Sequence, residues 1–152
     1  MRLIELETFV AAPPERCFDL SLSVDLHLES AAETRERVLS GPTSGLLGPG
    51  DTVTWEARHF GVRRRLAVRI TQYDRPRMFR DEMFKGPFRR MRHDHLFEPV
   101  DGGTRMRDVF EFASPLPPLD ALVVRHVRRF LHRRNDLIRS VAESDGWRRY
   151  LD

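Results

Sequence analysis

The chain has 152 residues, 40% of them hydrophobic, a net charge of +3 and one cysteine. That length is near the commonest domain size and can bury roughly two thirds of the unfolded surface, which predicts one domain over residues 1–152 that folds without staples. A lone Cys17 excludes an internal disulfide and, beside Phe18 in a helical stretch, reads as a buried, inert thiol.

Acids interrupt the opening Met1–Glu7, so it does not read as a signal peptide, and no apolar run approaches the ~20 residues that span a membrane. A cytoplasmic location is the expectation. Nucleic acid is not expected as a partner. The basic residues are arginines except Lys85, and both signs mix, as in Arg35-Glu36-Arg37 and Arg80-Asp81-Glu82, the pattern of a solvated face.

Residues 2–10 alternate, with Ile4, Leu6, Thr8 and Val10 against Glu5 and Glu7, which predicts a half-buried strand. Pro13-Pro14-Glu15 opens a short helix, and a second covers about Val24 to Ala31. Thr34 to Ser40 reads as the next strand. Gly and Pro punctuate 41–50 as a loop, either an ordinary surface loop or a mobile lip with Leu46 and Leu47 over a cavity mouth. Strands at about 51–60 and 62–73 join at Phe60-Gly61, so that His59 meets Val62, Trp55 meets Leu66 and Val53 meets Val68. Residues 77–85 and 88–99 form a hairpin around Gly86-Pro87, with Asp81 opposite Arg92.

The last strand, 104–112, pairs with 88–99 through a turn at Asp101-Gly102. An even loop sets partners that sum to 203: His95 faces Asp108, Phe97 faces Met106 and His93 faces Phe110. After Ser114-Pro-Leu-Pro-Pro118, a helix from Leu119 to about Ser144 carries an apolar stripe of Leu119, Val123, Val127, Phe130, Leu137, Ile138 and Val141. The order of strand, two short helices, six strands and a long helix predicts an α+β protein with about seven antiparallel strands. A curved sheet that holds a helix on its inner face encloses a pocket.

Three phrases carry a family likeness: Ala12-Pro13-Pro14-Glu15-Arg16-Cys17-Phe18-Asp19, Gly48-Pro49-Gly50-Asp51-Thr52-Val53-Thr54-Trp55, and His95 to Thr104 leading to Asp108. In these, and in element order over essentially the whole chain, the sequence resembles the START-like superfamily, which includes polyketide cyclase/dehydrase proteins and the birch-pollen-allergen group. The resemblance implies a helix-grip fold, a bent sheet wrapped around the C-terminal helix with a hydrophobic cavity between. It implies no catalytic residues, because no single motif unites the family.

Strand alternation and the helix stripe place Trp55, Leu66, Val68, Phe84, Met91, His93, His95, Phe97, Met106, Asp108, Phe110, Val127 and Phe130 as cavity-lining candidates. The expected occupant is a small, largely hydrophobic molecule, with the His/Asp group orienting its polar end. His95 and Asp108 either satisfy one another in a polar patch or act as an acid/base pair in a cyclase or dehydratase reaction, with Asp108 orienting the imidazole. His59, His93 and His95 share a face, but no Cys pair, His-Glu-x-x-His motif or carboxylate cluster accompanies them, so neither a metal nor another cofactor is expected. Arg125, Arg128, Arg129, His132 and Arg133 cover the back of the long helix. They form a solvated face or, as a third reading, a surface for anionic lipid or an acidic partner. The sequence leaves ligand identity and oligomeric state open.

Overall fold

A computed structural model describes residues 1–152. Seven strands form one antiparallel sheet in the order β1-β7-β6-β5-β4-β3-β2. They are β1 (Arg2–Val10), β2 (Arg37–Ser40), β3 (Thr52–His59), β4 (Val62–Asp74), β5 (Met78–Lys85), β6 (Arg90–Val100) and β7 (Gly103–Ala113). Two short helices, α1 (Pro14–Ser21) and α2 (Val24–Ser30), follow β1, and α3 (Asp120–Ala142) crosses the inner face before the short α4 (Arg148–Leu151).

Local chemistry sets these boundaries. Pro14 occupies the first turn of α1, where a missing N–H costs nothing. The Ser23 hydroxyl accepts the Leu26 N–H at 3.2 Å and caps α2. The second strand is shorter than expected: Ala32–Thr34 is a 3-10 turn and Arg35 takes a left-handed conformation, so pairing begins only at Arg37. Gly41, at φ 97°, starts the following loop, and a Cβ there would lie 2.3 Å from the Thr52 carbonyl oxygen.

That loop is fastened to the helices. The Val24 N–H donates to the Gly45 carbonyl at 2.9 Å, and the Leu47 N–H donates to the Leu22 carbonyl at 3.0 Å. Leu47 is buried and Leu46 faces solvent, so only one of the two leucines expected as a lip turns inward.

The β3–β4 hairpin has the expected register, His59 to Val62, Trp55 to Leu66 and Val53 to Val68. Phe60 and Gly61 both have positive φ, the turn geometry that matches strand twist. The β6–β7 hairpin pairs His95 with Asp108, Phe97 with Met106 and His93 with Phe110, also as expected. The β5–β6 hairpin differs by one residue. Asp81 lies opposite His93, and Glu82 opposite Arg92. The connection is longer than Gly86-Pro87, because Phe88 turns back to pack on Phe112 at 5.2 Å between ring centroids. A one-residue slip exchanges the two faces of a strand. Asp81 therefore points inward with Phe79, and Phe84, expected in the cavity wall, points outward.

The helix divides the interior into two compartments. Leu131, Arg134, Asn135, Ile138 and Ala142 of its C-terminal half are buried; Ile138 and Ala142 join Ile4, Phe18, Phe97, Met106 and Phe112 in a solid core, and Leu131 and Arg134 stand where that core meets open space. Its N-terminal half, 120–130, has no fully buried residue. Of the expected stripe only Leu119, which precedes the helix and is 49% exposed, falls away; Val123, Val127, Phe130, Leu137, Ile138 and Val141 face inward, and Leu131, Arg134 and Asn135 join them. No helix is long and apolar enough to cross a membrane.

Candidate ligand cavity and its buried charge cluster

Between the N-terminal half of α3 and the inner face of β3–β6 lies a cavity of about 460 Å³. Of the residues proposed from sequence, Trp55, Leu66, Val68, Met91, His93, His95, Phe110, Val127 and Phe130 line it. Phe84 does not. It is 56% exposed on the outer face, with the Arg69 guanidinium over its ring. Phe97 and Met106 are buried in the solid core instead, Phe97 stacking edge-on against Phe18 at 5.4 Å between centroids. Asp108 is buried behind the wall rather than in it.

The mouth is apolar, with a pair of histidines beside it. Phe60 at the tip of the β3–β4 hairpin, with Leu116, Leu119 and Leu122, lines the cavity while remaining about half exposed. Behind them His59 Nδ1 and His126 Nε2 lie 2.8 Å apart, joining β3 to α3. Burial holds both imidazoles below the ordinary histidine range, with His59 adding to the effect on His126, so one neutral ring donates to the other. Glu36 accepts from His27 Nε2 at 2.7 Å on the same side, and the His27 ring stacks on Trp55.

The opposite wall holds a cluster of charge. His93 Nε2 is 2.7 Å from Asp108 Oδ1, and Asn135 Nδ2 donates to Asp108 Oδ2 at 2.6 Å. His95 Nε2 is 2.7 Å from Asp81 Oδ2, and Arg134 Nη2 donates to His95 Nδ1 at 3.3 Å. His95 and Asp108 are cross-strand neighbours, yet their closest polar atoms are 3.7 Å apart. Each histidine instead reaches diagonally to the carboxylate that lies cross-strand from the other, His93 to Asp108 and His95 to Asp81. Arg134, buried, closes the group from α3, with Nη1 3.7 Å from Asp108 Oδ1.

The electrostatics follow from this bonding. Burial and the adjacent His93 bring His95 down to about 4, against the pull of Asp81. Its ring is neutral at neutral pH, with the proton on Nε2 facing Asp81 and the Nδ1 lone pair facing Arg134. Burial opposes ionisation of both carboxyls. The His95 bond nevertheless holds Asp81 below the usual carboxylate range, and the His93 bond with the Arg134 charge does the same for Asp108. Sequence reasoning missed Asp81, Arg134 and Asn135 as members of the cluster.

Ligand atoms of Asp81, His93 and His95 lie within 4.8 Å of one another, the one set close enough to hold a metal. The arrangement fits a cation poorly. The two rings stack at 3.7 Å with 29° between planes, so their lone pairs run side by side rather than converging, and the Arg134 guanidinium already faces His95. His59, the third histidine of the shared face, is bonded to His126 at the mouth. Cys17 is buried, and burial pushes its thiol up to about 11, which makes it unreactive at neutral pH.

The arginines on the outer surface are largely paired. Arg37, Arg63 and Arg65 surround Glu56, Arg75 forks onto Asp19, and Arg133 bonds Glu33.

The architecture recurs in solved structures at low sequence identity. The protein TTHA0849 from Thermus thermophilus is 18% identical, with a TM-score of 0.69 over 93% of this chain and 99% of its own. Ginseng major latex-like protein 151 from Panax ginseng gives a TM-score of 0.72 at 10% identity over 94% and 98% of the two chains. A START superfamily protein from Mycobacterium smegmatis gives 0.72 at 11% identity over 93% and 97%. At these identities the likeness is one of fold. Among curated proteins none matches the sequence significantly. The family model described as polyketide cyclase / dehydrase and lipid transport matches residues 1–143, so the chain belongs to that family, a START-like group built on the helix-grip fold.

Proposed function

We propose that the protein binds a small, largely hydrophobic molecule in the cavity between the sheet and the N-terminal half of α3. The observation that carries this reading is the division of the interior. One end is packed solid, while the other keeps about 460 Å³ of space behind a mouth of half-exposed apolar side chains. Apolar walls around such a space gain by meeting an apolar ligand, at about 25 cal/mol per Å² of apolar surface removed from water. The likeness to lipid-transport proteins through the family points the same way.

The test is extraction of the purified protein, followed by mass spectrometry of what copurifies, with displacement of a fluorescent apolar probe as the direct assay. Phe110→Ala and Phe130→Asp are expected to weaken the probe at least tenfold. Affinity unchanged in both variants would sink the reading.

The acid/base reading of His95 and Asp108 can be decided in the same assay. Both nitrogens of His95 have protein partners, and Asp108 accepts from two side chains behind the wall. These bonds favour an orienting role over proton transfer. His95→Gln is then expected to weaken the probe by about 0.5–1.5 kcal/mol, the worth of one hydrogen bond. A catalytic His95 would instead leave binding intact and cut turnover by roughly 10²–10⁴-fold.

The exposed arginines on the back of α3 do not face the cavity. Replacing Arg125, Arg128 and Arg129 with Gln is expected to change probe affinity less than twofold while reducing any salt-sensitive association with anionic vesicles, measured by cosedimentation at low and high salt.

A further inference from the structure

Within the charge cluster, the polar atoms left free toward the cavity are acceptors, while the exposed Arg64 lines the cavity apart from it. Asp81 uses Oδ2 for His95 and has no hydrogen bond at Oδ1. It lines the cavity, and its side chain is 16% exposed, against 5% for His95, 4% for Asp108 and 7% for Arg134. It is the charged group of the cluster most open to the space. His93 uses Nε2 for Asp108, which leaves Nδ1 as a second acceptor when the ring is uncharged.

The one permanent cation within the cluster is committed elsewhere. Arg134 donates from Nη1 to Asn135 Oδ1 at 3.0 Å and from Nη2 to both the Ser21 carbonyl and His95 Nδ1 at 3.3 Å. The paired fork that would grip a ligand carboxylate is therefore already occupied within the protein.

Resting on the reading of the cavity as a ligand site, we propose that its ligand carries a hydroxyl on an aromatic or other apolar body, bound by donation to Asp81 Oδ1, and that carboxylate-headed molecules are rejected. A hydroxyl supplies the donor that an ionised, half-enclosed Asp81 lacks, and it costs far less to desolvate than a charged head. A carboxylate seated at the cluster would place a second negative charge against Asp81 in a space of low polarity, with the Arg134 fork already taken. Phe79 and Phe110 flank the two histidines, stacked or edge-on, and give the head an aromatic setting that suits a planar ring.

The experiment is fluorescence titration of the full chain with four probes that share one body: 1-hydroxypyrene, 1-methoxypyrene, 1-pyrenecarboxylate and 1-pyrenemethylammonium. Expected is binding of 1-hydroxypyrene about 10–100-fold tighter than its methyl ether, the range for a hydrogen bond to a charged group, with the carboxylate weakest. In Asp81→Asn the amide oxygen still accepts from His95 and turns its NH₂ toward the cavity. The hydroxyl advantage is then expected to fall below about threefold and the carboxylate to tighten.

Equal affinity for all four probes in the parent protein would overturn the assignment of the head while leaving the cavity as a binding site. Tightest binding of the carboxylate would overturn it in favour of an anion site at one of the two arginines of the lining, Arg64 or Arg134, and tightest binding of the ammonium in favour of a cation site at Asp81. Failure of every probe to bind would sink the cavity reading itself. The comparison within the parent protein stands even if the Asp81→Asn variant does not fold.

Discussion

Between pH 6.5 and 4 the protein is expected to lose about 3 kcal/mol of stability through His95 alone, seen as a falling urea midpoint in denaturation curves across that range. The ring titrates at about 4 in the folded chain against an ordinary 6.5. In this window the unfolded chain takes up a proton that the folded chain refuses, so stability is full above pH 6.5 and declines as the pH drops toward 4. His59 and His126, also held below the ordinary range by burial, act in the same direction. His95→Gln is expected to remove close to one proton of uptake on unfolding and to flatten the curve by its share. An unchanged slope in that variant would show that His95 is not the neutral ring described above. Below pH 4 the trend continues for a different reason, because the carboxyls of Asp81 and Asp108 take up protons in the unfolded chain while the folded chain holds both below the ordinary range.

Asp108→Asn is expected to destabilise the fold by about 3–5 kcal/mol, the cost of leaving a buried cation without its partner. Asp108 takes bonds from His93 and Asn135 and lies 3.7 Å from Arg134, all with little access to water. The double variant Asp108→Asn, Arg134→Met removes both charges, and its loss is expected to be smaller than that of Asp108→Asn alone. Urea unfolding of the cycle measures this directly. Additive losses would mean that Arg134 does not depend on Asp108, and that the cluster is a set of separate pairs.

Much of this was legible in the sequence, and two of the misses have definite causes. The pairings of β3 with β4 and of β6 with β7 follow from matching apolar residues across short turns, because one register alone puts Trp55 on Leu66 or Phe97 on Met106. The same test was available for β5. Phe79 and Met83 alternate with Asp81, and only the register that places Phe79 opposite His95 keeps both inside. Assigning a two-residue turn to Gly86-Pro87 hid that match, and with it Asp81, the residue on which the proposed ligand head depends.

Arg134 and Asn135 were hidden for another reason. A helix position is read as buried when it is apolar, and these two occupy the spacing between Leu131 and Ile138 with polar side chains. The hydrophobic pattern cannot distinguish a charged residue that faces water from one that meets a carboxylate on a distant strand. Only the juxtaposition of α3 with β6 and β7 makes that pairing visible.

The division of α3 also bears on how the protein exchanges its contents. A rod packed closely along one half and loosely seated along the other, where bonds of Arg2 with Asp120 and of His59 with His126 are its polar ties to the sheet, can open along the loose half without surrendering the packed part, since the energy of opening a segment tracks the apolar contact it gives up. Amides of residues 120–130 should exchange with solvent far ahead of those in 131–142, and a bound guest should slow the first group selectively. Traffic through the site and survival of the fold would then be governed by different stretches of one helix. Substitutions at Val123 or Val127 could reset residence time with little change in overall melting, whereas the same change at Ile138 would be felt first as loss of the protein.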